Sequence, residues 1–97
     1  MLDDKLKKQL QELTELYELA YKQVKPSVDY IIKNNIRDLK YIEKTFDDII
    51  NIPTDRCYQL FLKLYDYVKM FNKELANEYY QIYEELYGDE KIKKRSH

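Results

Sequence analysis

Ile49-Ile50-Asn51-Ile52-Pro53-Thr54-Asp55-Arg56-Cys57 is the stretch on which the fold turns. Pro53 pushes Ile52 out of the helical region, and Thr54 is a good N-cap, able to accept from a free backbone N–H. Asp55 follows in the first turn, where the helix dipole favours a negative charge. One helix therefore ends ahead of Pro53 and another starts after Thr54.

Outward from this break the apolar residues recur at steps of three and four. Residues 54–87 carry Cys57, Phe61, Leu64, Val68, Phe71, Leu75, Tyr79, Ile82 and Leu86 on one face. Residues 27–51 carry Val28, Ile32, Leu39, Ile42, Phe46 and Ile49, and residues 2–25 carry Leu2, Leu6, Leu10, Leu13, Tyr17, Ala20 and Val24. Such spacing lets a helix bury one stripe against other helices. Two further marks divide the chain. Pro26 disfavours a helical Lys25, with Ser27 placed to cap a new helix. Gly88 stands just past the last apolar residue, where a left-handed C′ glycine ends a helix.

The expected fold is all-α: an antiparallel three-helix bundle of residues 2–25, 27–51 and 54–87, with a long third helix. The alternative is one long rod, helices one and two kinked at Pro26, with the third folded back and the whole open to dimerisation. The stripe does run across the proline as Ala20, Val24, Val28 and Ile32. The bundle is preferred because an isolated rod would leave much apolar surface uncovered. Residues 1–88 form one domain in this reading, and 89–97 a flexible basic tail carrying Lys91, Lys93, Lys94 and Arg95.

Composition narrows the function classes. The 97 residues are 36% charged and 44% hydrophobic, as in an ordinary single globular domain. A net charge of −1 gives no bulk argument for nucleic acid or a membrane surface. No apolar run approaches the length of a bilayer span. One cysteine makes no internal disulfide, and Met1-Leu2-Asp3-Asp4-Lys5 lacks the basic-then-apolar order of a signal peptide, so the expected location is cytoplasmic. Richness in lysine, tyrosine and isoleucine with only two alanines suggests A/T-rich codons, hence a low-GC bacterial or mobile-element origin.

The third helix, at 1.5 Å per residue, is about 51 Å long against about 37 Å for the other two. It should overhang them at its C-terminal end, where Tyr79, Tyr80, Tyr83 and Tyr87 lie. Tyrosine offers large contact area and tolerates a half-wet setting, so these four are the candidate partner-binding residues, for another copy or a different protein. The competing reading packs them on the first helix near Tyr17 and Tyr21.

Lys33, Arg37, Lys40 and Lys44 fall within an arc of about 60° on the second helix, flanked by Tyr30 and Tyr41. They are the candidate anion-binding face, for phosphate, nucleic acid or an acidic protein. A solvated charged face explains them as well, with Asp29 and Asp48 at hand to relieve Lys33 and Lys44. Cys57 is in phase with Phe61 and Leu64 and reads as a buried structural thiol. Asn35 interrupts the second stripe, either as a buried amide fixing register or as an edge residue where the stripe drifts to Ile36.

Catalytic signals are absent. One glycine rules out Gly-rich phosphate loops, and one histidine, His97, rules out His-based metal and nucleophile systems. The adjacent carboxylates Asp47-Asp48 and Glu84-Glu85 diverge by about 100° on a helix. No enzyme, cofactor, metal or small-molecule substrate is expected. The expected function is a small protein-interaction or regulatory module using the tyrosine-rich helix end, with self-association included. The alternative is a nucleic-acid-binding accessory protein using the basic face and the tail.

Overall fold

The computed structural model describes the backbone of residues 3–95 and the side chains of residues 3–87. Within them the chain is all helical, without a strand, and has four helices: α1 (Asp4–Lys33), α2 (Leu39–Ile50), α3 (Asp55–Lys69) and α4 (Lys73–Arg95). The three-helix division is corrected at two places, and the kinked rod of helices one and two is not formed.

The first correction is at Pro26, which lies inside α1 rather than between helices. A proline there removes one backbone donor and crowds the preceding turn, at a cost of about 3 kcal/mol. The helix persists because it has core contacts on both sides of the proline, Val24 before it and Val28 and Ile31 after it, all buried. The break comes eight residues later, at a pair of asparagines. Asn35 sits in the left-handed region at φ 52°. The Ile36 N–H donates to the Ile31 carbonyl (2.9 Å) and the Asn35 N–H to the Ile32 carbonyl (3.4 Å). This is a Schellman ending with asparagine in glycine's usual place. Of the two readings of Asn35, the buried amide is not formed, while the edge position is: Asn35 is exposed and also turns the chain, and Ile36 is half-buried against the core. Asp38 then caps α2, accepting from the N–H groups of Lys40 (3.1 Å) and Tyr41 (3.4 Å).

The Pro53 break is where the sequence places it. Thr54 Oγ1 accepts from the Cys57 N–H at 3.3 Å, and α3 begins with Asp55. The second correction follows at Met70–Asn72, where the long third helix divides. Asn72 Oδ1 accepts from the Leu75 N–H at 3.0 Å, capping α4. Its own N–H donates to the Val68 carbonyl at 2.7 Å, tightening the end of α3. An expected helix stop at Gly88 is also absent, since α4 continues through it to Arg95. The tail side chains from Gly88 onward, and Ser96 and His97 entirely, lie outside the described residues.

α3 is the central helix and packs against each of the other three. Its buried residues, Cys57, Tyr58, Leu60, Phe61, Leu64, Tyr65, Tyr67 and Val68, occupy a wide arc for that reason. α2 contributes Ile42, Phe46, Ile49 and Ile50, and α4 contributes Leu75, Ala76, Tyr79 and Tyr83. Among the described residues the one buried polar side chain, Thr45, donates to the Tyr41 carbonyl at 2.9 Å. Two exposed ion-pair groups tie α1 to α3. Asp29 accepts from Lys25 (2.7 Å) and Lys63 (3.2 Å). Arg56 Nη1 donates to both Glu18 carboxylate oxygens at 2.8 and 3.0 Å.

Lengths are badly matched. α1 has 30 residues, while α2 and α3 have 12 and 15. At 1.5 Å per residue, α1 is about 45 Å long against about 18 and 22 Å. It sets the long axis of a molecule measuring 50 × 28 × 20 Å. The N-terminal half of α1 therefore extends past α2 and α3, at the same end of the molecule as Tyr87, which donates to the Ile50 carbonyl.

Candidate interaction surface

The four candidate tyrosines are drawn into or against the core, because α4 folds back along α3. Tyr83 is 1% exposed, with its ring 4.6 Å from Phe61 and 5.2 Å from Tyr58. Tyr79 stacks on Phe46 at 4.5 Å and donates its hydroxyl to the Asp47 carboxylate at 2.9 Å. Tyr80 lies against Tyr65 at 5.1 Å and is half-buried. Tyr87, also half-buried, donates to the Ile50 carbonyl at 2.7 Å. Burial pushes the phenols of Tyr79, Tyr83 and Tyr87 above the usual tyrosine range, helped at Tyr79 by the Asp47 carboxylate. The four form an aromatic seam that fastens α4, not an open face. Tyr79 and Tyr83 are buried, and Tyr80 and Tyr87 keep the exposed part of the seam.

The basic face is also rearranged. It presupposed one helix from residue 27 to 51, and the Asn34–Asp38 break separates Lys33, at the end of α1, from Lys40 and Lys44 on α2. Arg37 is in the connection, its guanidinium 5.1 Å over the Phe71 ring. Lys44 pairs with Asp48 at 3.4 Å, as its spacing suggested, whereas Asp29 serves Lys25 and Lys63 rather than Lys33. The Lys25 bond foremost holds the Asp29 carboxyl below its ordinary value. Tyr30 and Tyr41 stack on each other across the break at 6.2 Å. Cys57 is fully buried, and its burial pushes the thiol pKa up despite nearby Arg56. A raised pKa disfavours the reactive thiolate.

What remains exposed is apolar and lies on α1. Leu6, Leu10 and Leu13 continue the phase of Tyr17, Ala20 and Val24 without a step out of place. From Tyr17 onward this stripe enters the bundle, with Val24, Val28 and Ile31 buried. Ahead of Tyr17 none of its described residues is buried. Leu6 is 40% exposed, Leu10 46% and Leu13 43%, and Leu16 and Leu19 on one flank are more open still. Asp3 Oδ1 accepts from the Leu6 N–H at 2.7 Å, so the arm has its own N-cap. Its inner end is fixed where Glu18 meets Arg56, whose guanidinium also covers the Tyr21 ring at 4.3 Å. The stripe runs on into an open groove of about 610 Å³ between α1 and the end of α2. Leu16, Tyr17, Ala20 and Val24 line one wall, and Asp48 and Ile52 the other.

The sequence pattern puts Leu6, Leu10 and Leu13, though not Leu16 or Leu19, on the face expected to be buried. Length is a signal that separates them in part: α2 and α3 cannot reach along a helix of about 45 Å, and α4, with 23 residues, is about 34 Å long. Among the described residues no group of acidic, histidine or cysteine side chains is placed to hold a metal ion, and no helix is long and apolar enough to cross a membrane. In comparison with known proteins, the chain matches no family model, no curated protein and no solved structure.

Proposed function

We propose that this protein is a small non-catalytic interaction module whose contact surface is the free N-terminal arm of α1. The observation that carries this reading is the continuity of the stripe: Leu6, Leu10 and Leu13 share the phase of buried Val24 but stand 40–46% exposed. Leaving a run of leucines in water forgoes the burial that stabilises the rest of the same helix. An isolated helix of this arm's length is also marginal in water, so the arm gains order from a partner laid along it. The steps of four and three from Leu6 to Val24 suit knobs-into-holes packing, which makes the partner surface helical. The tyrosine-rich end of α4 supports the module indirectly, by holding the body together.

A photo-crosslinking residue in place of Leu10 tests this. It should capture a protein chain, and capture should be lost when Leu13→Glu is added. The same residue in place of Met70, which is 78% exposed at the opposite break, should capture nothing specific. Equal capture at both positions, or capture indifferent to Leu13→Glu, contradicts the reading.

A further inference from the structure

We infer that the arm's partner is a second copy of this chain, with the two arms side by side and antiparallel. This rests on the reading of the arm as the contact surface and adds the identity of what covers it. The argument is charge order along the arm. Its first turns hold Lys5, Lys7 and Lys8 beside Asp3 and Asp4, whereas residues 11–18 hold no base, and Glu12 and Glu15 there are the carboxylates beyond Glu18, which Arg56 already takes. Parallel arms would set lysine turns against lysine turns and glutamate turns against glutamate turns. Antiparallel arms set the lysine turns of each copy against the glutamate turns of the other, and oppose the two helix dipoles as well.

The apolar steps select a register. With Leu10 of one copy opposite Leu13 of the other, Leu6 falls opposite Tyr17, and every apolar layer of the arm is filled twice by the symmetry. In this register the first turn of each arm reaches the mouth of the other copy's groove, beside Tyr17 and Ala20. The two bundles then stand at opposite ends of the paired arms, and α3 is untouched. Such an interface is isologous and closes at two copies.

The test is molar mass by light scattering across a concentration series, with amide hydrogen exchange on the same samples. The expected result is a rise to twice the 12.0 kDa chain mass, with amides of residues 4–16 slowing in parallel. Leu10→Glu with Leu13→Glu should return the protein to monomer while its helical bundle still unfolds cooperatively. Direction is read by cysteine cross-linking, with buried Cys57 left in place. Leu6→Cys mixed with Tyr17→Cys should form mixed disulfides, and Leu6→Cys alone should not. A dimer that survives Leu10→Glu with Leu13→Glu, or one cross-linked through Leu6→Cys alone, overturns the proposal. A monomer whose arm amides exchange freely overturns the second copy but leaves the arm open to a different protein. A monomer whose arm amides are already protected overturns both, since the chain then covers its own arm.

Discussion

The two halves of α1 obey one apolar pattern and live in opposite surroundings. Residues 24–31 present Val24, Val28 and Ile31 to α2 and α3 and are buried there, despite a proline between them. Residues 6–13 present Leu6, Leu10 and Leu13 in the same phase and remain 40–46% exposed. The difference teaches that periodicity specifies an apolar face but not its cover. Whether a stripe becomes core depends on the length and placement of the other helices.

The comparison breaks most visibly through the core. Phe61→Ala removes a fully buried ring that touches Phe46, Tyr65 and Tyr83. It should cost about 3–5 kcal/mol in denaturant unfolding. If it cost no more than a change on the arm, the packed half would not be the centre of stability described above.

Alkali should come next. The phenols of Tyr79, Tyr83 and Tyr87 are raised by burial, so the folded chain keeps protons that the unfolded chain gives up. Their contribution is fully present below the ordinary phenol value of about 10 and is lost as pH rises beyond it. Unfolding midpoints should therefore fall above that pH, with tyrosinate absorbance appearing late and together with the loss of helix. Early ionisation of all the tyrosines with the fold intact would place the α4 aromatics outside the core.

Caps give a smaller effect that sharpens the boundaries. Asn72→Ala removes the acceptor for the Leu75 N–H and should cost about 1 kcal/mol. Thr54→Ala should cost a similar amount, about 1 kcal/mol, at the start of α3. Were residues 54–87 one continuous helix, Asn72→Ala would instead be stabilising, because alanine is the better interior residue. Least affected is the arm: Leu10→Ala in dilute protein should stay within about 0.5 kcal/mol of wild type. A penalty on the scale of Phe61→Ala would mean that Leu10 is core.

Much of this was legible in the sequence, residue by residue. Pro53 and Thr54 mark their break correctly because proline restricts its predecessor and threonine caps, both local effects. The wide apolar arc of residues 54–69 is what a helix touching three others requires. Pro26 misleads because its penalty is local while the burial of Val24, Val28 and Ile31 that outweighs it is tertiary. Asn35 and Asn72 mark the missed breaks, and both are asparagines, which can take the left-handed region or cap a helix without proline or glycine. The second was hidden because Phe71 and Leu75 keep a step of four across it. Once α3 and α4 fold back on each other, the tyrosines move from an overhang to the core, and the overhang passes to α1. No local signal carries that exchange, since it depends on where two other helices stop.

Residue-resolved amide exchange along α1 tests the central claim most directly. In dilute protein, amides in residues 24–31 should exchange through global unfolding, while those in residues 6–13 exchange orders of magnitude faster. Raising the protein concentration should slow the second group and leave the first unchanged. Uniform protection along α1 at every concentration would contradict the account, because the leucine arm would then be as covered as the core.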